Sequence, residues 1–168
     1  MTAVRLDEFS IHIGLHEDDL ASLEGRARTR GMTVIHLDLE DIADRDSLLS
    51  YLGREFLFPS EARGRDAAID SMSDLEWFDN SNGYLVTVRG LDDASLIAEP
   101  FLSILPNVVD RWRSQAVHFI VVLTSDGGRL RGALDAANRD MARSGALPWA
   151  QPGTGAVDIV IHRDHRLG

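Results

Sequence analysis

The sequence contains no cysteine, and aromatic residues make up only 7% of its 168 positions. Without cysteine the chain has neither a disulfide framework nor a thiol nucleophile. Lysine is absent too, so every basic side chain is an arginine. No apolar run approaches the roughly 20 residues of a membrane-spanning helix. The first residues, MTAVRLDEFSIHIGLHEDD, lack the basic and then apolar order of a signal peptide. Together these absences predict a cytoplasmic protein that does not interact with membranes.

The net charge is −10, and the excess of acidic residues is concentrated in the middle of the chain. Residues 38–99 hold fifteen acidic residues and five arginines, whereas residues 1–37 carry a net charge of −2 and residues 100–168 one of +2. A negative field of this kind repels nucleic acid and attracts cationic proteins. We therefore expect a basic protein partner and no nucleic-acid partner, although solubility alone would also account for an acidic composition.

Apolar strand-like segments that alternate with amphipathic helices predict an α/β fold with a parallel sheet. Three such segments predict a central three-stranded sheet, namely Thr33–Leu39, Gly83–Gly90 and His118–Leu123. Helices are predicted from Asp46, over Arg65–Phe78, over Phe101–Ser114 with an early interruption at Pro106, and after the SDGG turn.

The predicted organisation is a single domain over residues 1–168 with 33–123 as its core. Residues 1–32 form an N-terminal extension with a strand at Phe9–Ile13 and a helix at Glu17–Thr29. Residues 124–168 form a C-terminal helix-strand extension that ends in a strand at Val157–His162. These terminal elements are expected to lengthen the sheet or to cover its edge.

Three aspartates lie at helical spacing in the segment predicted to be a helix from Arg65. Asp66, Asp70 and Asp74, which we call the acidic row, fall at i, i+4 and i+8 and line one face. Like charges at this spacing destabilise an isolated helix by roughly 0.2–0.5 kcal/mol per adjacent pair. A cationic partner would offset that cost, whereas a plain solvated face shows the same pattern, and the spacing leaves both interpretations open. The opposite face is predicted to pack on the sheet through Ala68, Met72 and Leu75.

Four segments follow one another in a recognisable order: VIHLDLEDIADRDSLLSYLGREFLFP, GRDAAIDSMSDLEW, GYLVTVRG and WRSQAVHFIVVL. They give a strand, a helix that ends in Leu-Phe-Pro, a loop with glycine, an Asp-rich helix that ends near tryptophan, a strand, a helix and an apolar strand. This order resembles the barstar family, and the resemblance covers residues 33–123. It rests on the ordered set rather than on any single motif.

In the barstar family the loop and the second helix cover the active site of a guanyl-specific ribonuclease, and an aspartate stands in for the RNA phosphate. The resemblance therefore implies a non-enzymatic inhibitor of a cationic ribonuclease, either barnase-like or another guanyl-specific microbial enzyme, with no cofactor and no metal. Asp70 is implied as the phosphate mimic, and Asp66 as a contact to the basic or base-binding rim of the enzyme. The other implied partner-binding residues are Gly64, Arg65, Ala67, Ile69, Asp74 and Trp77.

The chain departs from the family pattern around these aspartates. The stretch before the helix reads SEARG and lacks the family's aromatic residues, and Ile69 stands where a tryptophan is often found. The third family helix sometimes contributes a glutamate, and the nearest residues here are Asp110 and Arg111. This chain has the family's aspartates but lacks its aromatic residues at these positions, so we expect a different partner or a different affinity.

Two other functions fit the same aspartates. An immunity or adaptor protein would use them to bind a cationic toxin that is not a ribonuclease. A metal-dependent hydrolase would use them to hold Mg²⁺, although the sequence shows no phosphate loop and no Ser-His-Asp order beside them. His162 and His165 follow a strand rather than lie on a helix, which argues against a metal site there. His36 and His118 are expected to be hydrogen-bonded core residues.

Overall fold

The computed structural model describes residues 4–60, 63–74, 82–91, 96–125, 127–143 and 158–162. Its strands are β1 (Phe9–Ile13), β2 (Thr33–Asp38), β3 (Tyr84–Arg89), β4 (Phe119–Leu123) and β5 (Asp158–Ile161). Its helices are α1 (Glu17–Thr29), α2 (Arg45–Glu55), α3 (Arg65–Asp74), α4 (Ala98–Leu102), α5 (Leu105–Ser114) and α6 (Gly127–Arg143). Each strand that the sequence predicts has its counterpart among these five.

The five strands form one parallel sheet in the order β2-β3-β4-β1-β5. The three predicted central strands are neighbours in it, and both terminal strands extend it. β1 pairs with β4, with Ile11 opposite Val121, and β5 pairs with the other side of β1. The fold is therefore the expected barstar-like α/β arrangement, and the terminal segments lengthen its sheet from three strands to five.

The two faces of the sheet pack into separate hydrophobic cores. Side chains alternate along β1, so that Ile11 and Ile13 enter the larger core formed with α2 to α6. The smaller core lies under α1, where Leu20 and Leu23 pack with Ile120 of β4. Strand β4 is buried along its whole length, as expected of a central strand covered on both faces. Helix α3 thus lies on the side of the larger core.

Two helix boundaries differ from the sequence-based expectation. The helix predicted over Phe101–Ser114 is two helices, α4 and α5, and Pro106 lies in the first turn of α5. Proline fits there because a first-turn residue has no intrahelical acceptor for an N–H. Helix α2 is capped by Asp44, whose carboxylate accepts the N–H of Ser47 at 2.8 Å, rather than by Asp46. Within the described ranges, each helix is too short or too polar to cross a bilayer.

The chain leaves β3 through Gly90, whose φ of +81° lies in the left-handed region. A Cβ at this position would lie 2.5 Å from the backbone nitrogen of Glu40. Glycine therefore allows the segment after β2 to pass directly against the end of β3. This close approach lies at the end of β2, the strand on which α2 packs.

Candidate partner-binding site

Helix α3 presents the acidic row to solvent, as the helical spacing predicts. Asp66, Asp70 and Asp74 are all exposed. Because its opposite face packs into the larger core, the helix holds the three carboxylates outward on a firm support. Leu75, predicted for the packing face, lies outside the described residues. The buried face consists of Ala68, Ile69, Met72 and Ser73.

Two hydrogen bonds, from Trp112 of α5 and from its C-cap residue Gln115, reach the last described turn of α3. The indole Nε1 of Trp112 donates to the carbonyl oxygen of Met72 at 2.9 Å, and Nε2 of Gln115 donates to that of Ser73 at 3.2 Å. These two bonds therefore tie the last described turn of α3 to the C-terminal part of α5. Trp112 also stacks on Phe119 of β4, with 5.8 Å between ring centroids, so Trp112 is itself part of the core.

Arg111 connects α5 to the acidic row. Its Nη1 donates to Oδ1 of Asp70, and the two side chains are 49% and 69% exposed. The neighbouring Asp110 is paired with Arg113 instead, at 2.7 Å. The position near which the family sometimes supplies a glutamate therefore carries a basic group that contacts the central aspartate. No sequence pattern predicts this contact, because the two residues lie on different helices, 41 positions apart.

The other residues implied by the resemblance fall into three groups. Gly64 is half-buried and Ala67 is exposed, and both lie at the N-terminal end of α3. Ile69, also implied as a partner contact, has a side chain that is only 5% exposed and packs in the larger core. The side chain of Arg65 and the whole of Trp77 lie outside the described residues.

A groove of about 600 Å³ opens beside Asp66, between α2, the start of α3 and α4. Its apolar side includes the buried residues Leu48 and Ile104, and the exposed side chains of Asp66, Glu99 and Arg45 also line it. Apolar and acidic groups therefore lie side by side at the N-terminal end of the acidic row. A side chain with an apolar stem and a basic end, such as arginine, has the chemistry to fit this groove.

A second polar cluster lies on the sheet around β1. The buried His12 has its Nε2 2.9 Å from Oε1 of Glu8 and 3.0 Å from Oγ of Ser10, and its Nδ1 3.0 Å from Nε2 of His162. Burial lowers the pKa of His162 and the adjacent His12 lowers it further, while Asp19 acts in the opposite direction. In the part of the chain that the structure describes, no group of His, Asp and Glu side chains is arranged to hold a metal ion.

His36 and His118 each differ in one respect from the expectation that they are hydrogen-bonded core residues. His36 is 55% exposed and bonds to Oγ1 of Thr87, because β2 is an edge strand with fewer neighbours to cover it. His118 packs its ring against Phe9 at 5.3 Å, but its Nδ1 is buried without a hydrogen-bond partner among the described residues. His165 lies outside those residues, so the expectation that His162 and His165 do not form a metal site stays untested.

Solved structures with a similar fold include a chain of Drosophila ORC bound to DNA. It is 14% identical with a TM-score of 0.50, and the match covers 97% of this chain and 89% of that one. A chain of Drosophila ORC bound to GC-rich DNA and Cdc6 is 16% identical with a TM-score of 0.50, over 90% of this chain and 54% of that one. At such identities the likeness concerns the fold alone. No curated protein is significantly similar to the chain in sequence.

A family match covers the central part of the chain. The sequence model described as Barstar (barnase inhibitor) matches residues 32–124, which is more than half of the 168 residues. The matched segment runs from the start of β2 to the end of β4, so that it contains the acidic row and Arg111. It coincides within one residue at each end with the segment on which the sequence resemblance rests. The chain therefore belongs to the barstar (barnase inhibitor) family.

Proposed function

We propose that this protein inhibits a cationic, guanyl-specific ribonuclease by covering its active site with α3 and the loop before it. The observation that carries the proposal is the exposed acidic row on a helix whose other face is locked into the core. An enzyme that cleaves RNA binds a polyanion, so its active site offers basic groups. A rigid row of carboxylates is complementary to such a site and excludes the substrate without any catalytic step.

Asp70 is the residue we assign to the phosphate position, since it lies at the centre of the row. Its carboxylate is 69% exposed and would be enclosed by the basic groups of the enzyme in the complex. Charge-assisted hydrogen bonds to such groups are stronger than those between neutral groups. Asp66, at the groove beside α2 and α4, is assigned to the rim of the enzyme's active site.

The net charge of −10 supports fast association with a basic partner. Complementary fields steer two proteins together and raise the association rate, and added salt screens this effect. Inhibition by charge complementarity therefore predicts slower binding at higher ionic strength. A partner held mainly by apolar contacts would show little dependence on salt.

The proposal is tested by measuring inhibition of RNA cleavage by barnase and other secreted guanyl-specific ribonucleases at two salt concentrations. Asp70→Ala is expected to weaken inhibition by more than about thirtyfold, as expected of a central interface residue. Asp74→Ala, which removes the same charge from the same helix face, is the matched control and is expected to weaken inhibition by less than about threefold. Asp18→Ala, on α1, is the remote control for the change in net charge.

Circular dichroism of each variant establishes that the fold is retained. Equal losses from Asp70→Ala and Asp74→Ala would contradict the assignment of Asp70 to the phosphate position. A wild-type protein that inhibits none of the ribonucleases would contradict the proposed function.

A second candidate is an immunity or adaptor protein for a cationic toxin that is not a ribonuclease. The observation that favours it is the altered surface around the acidic row, where Ile69 is buried and Arg111 contacts Asp70. The sequence SEARG before α3 also contains no aromatic residue. Binding to a toxin encoded beside this gene, together with no inhibition of any guanyl-specific ribonuclease, would favour this function over the first.

A further inference from the structure

We propose that Arg111 sets the affinity and selectivity of the acidic row by competing with a partner for Asp70. The inference rests on the proposed function, in which the row is the partner-binding surface. In the free protein the Arg111 guanidinium donates to Oδ1 of Asp70. The central carboxylate is thus occupied by a basic group of this chain before any partner arrives.

The packing of the two helices holds this basic group in place. Trp112, the next residue along α5, is buried and donates to the Met72 carbonyl of α3 at 2.9 Å. Gln115, one turn further, makes a second link to the carbonyl of Ser73. Because the helices are joined at these points, the base of the Arg111 side chain has a fixed position relative to the acidic row.

Two effects oppose a basic partner at this site. Arginine and carboxylate groups pair most strongly when both carboxylate oxygens accept parallel hydrogen bonds, and Arg111 already uses Oδ1 of Asp70. Its positive charge also faces any basic group that approaches the row, and like charges brought together across an interface weaken binding. Both effects act in the same direction, so the intact Arg111 lowers the affinity for a cationic protein.

A basic partner can also readily break the ion pair between Arg111 and Asp70. Arg111 and Asp70 are 49% and 69% exposed, and exposed ion pairs contribute little to stability. A partner with several converging basic groups can therefore take over the Asp70 carboxylate. A weakly basic protein gains too little binding free energy to displace Arg111 from Asp70. Arg111 thus selects for a strongly cationic active site of the kind that binds RNA phosphates.

Arg113 provides a matched control on the same helix. It is 43% exposed, close to the exposure of Arg111, but it pairs with Asp110 within α5. Arg111→Gln and Arg113→Gln remove the same charge and differ in whether the lost partner belongs to the acidic row. The comparison separates a specific effect on Asp70 from the general effect of net charge.

The test measures the dissociation constants of complexes with barnase and other guanyl-specific ribonucleases by calorimetry, for the wild type and both variants. Arg111→Gln is expected to bind about five- to tenfold more tightly than the wild type. The dissociation constant of Arg113→Gln is expected to change by less than about twofold. In the background of Asp70→Asn, the effect of Arg111→Gln should become smaller, because only the charge repulsion remains and the competition for Asp70 is gone. Such a double-mutant cycle isolates the coupling between Arg111 and Asp70.

Each outcome has a distinct meaning. Equal effects of the two arginine variants, or weaker binding by Arg111→Gln, would overturn the inference while wild-type inhibition upholds the proposed function. Tighter binding by Arg111→Gln that is undiminished in the Asp70→Asn background would also overturn it. If neither the wild type nor Arg111→Gln binds any of the enzymes, the proposed function is wrong and the inference fails with it.

Discussion

The indole Nε1 of Trp112 lies 2.9 Å from the carbonyl oxygen of Met72, and this hydrogen bond joins the helix that carries the acidic row to α5. Trp112 is 4% exposed and lies between the sheet and α3, with its ring parallel to that of Phe119. A residue of the core therefore positions a surface helix. The orientation of the acidic row depends on a side chain that does not itself belong to the surface.

Replacement of Trp112 by phenylalanine is expected to lower the free energy of unfolding by about 1–3 kcal/mol, because the Met72 carbonyl loses its donor in a buried position. Urea-induced unfolding measures this loss. Gln115→Ala removes a hydrogen bond to the Ser73 carbonyl that is longer and less buried. It is therefore expected to lower the free energy of unfolding by less than Trp112→Phe does. If Trp112→Phe and the wild type were equally stable, the link between α5 and α3 would not be structurally important.

Arg111→Gln is expected to change the free energy of unfolding by less than about 1 kcal/mol, because both partners of the ion pair are exposed to solvent. The same result is expected of Arg113→Gln. Thermal and urea unfolding of the two variants check this. A large destabilisation by Arg111→Gln would show that Arg111 is mainly a structural residue and would argue against its role as a competitor.

Two glycine substitutions are expected to have opposite effects on stability. Gly90→Ala is expected to destabilise the protein by more than about 1 kcal/mol, because φ is positive and the new Cβ would lie 2.5 Å from the nitrogen of Glu40. Gly25→Ala is expected to stabilise it by ~0.5–1 kcal/mol, because Gly25 is inside α1 with no atom near its Cβ position. Denaturant unfolding compares the two, and effects of the same sign would contradict the local geometry.

The histidine cluster predicts a loss of stability at acidic pH. Burial and the adjacent His12 lower the pKa of His162 in the folded protein, so the unfolded chain binds the proton more readily. The folded protein therefore has its full stability above the ordinary histidine pKa. It loses stability as the pH falls from there through the lowered pKa of His162 in the folded state.

Urea unfolding between about pH 7 and about pH 5 checks this pH dependence. The wild type should lose more stability over this interval than His162→Gln, which cannot titrate there. His16→Gln is the control, since His16 lies at the exposed start of α1 and does not contact the cluster. Parallel pH profiles for the wild type and His162→Gln would contradict the prediction.

Much of the fold could be predicted from local patterns. Residues such as Ile120 and Val121 form a continuous apolar run, which is typical of a central parallel strand and is found at β4. The first strand and helix also lie where periodicity predicts them, at Phe9–Ile13 and Glu17–Thr29. Helical spacing likewise predicts that Asp66, Asp70 and Asp74 share one exposed face. These features depend on neighbours within a few residues, and the sequence contains that information directly.

The order of the strands and the partners of individual side chains depended on the tertiary structure. Local periodicity assigns β1 to a strand but does not place it between β4 and β5, since that position depends on packing with distant segments. The same holds for the burial of Ile69, which the family comparison placed at the partner surface. The sequence by itself determined that a row of carboxylates faces solvent. Only the packing of α5 against α3 decided that Arg111 reaches Asp70, because this contact joins residues 41 positions apart through helices that meet in the folded chain.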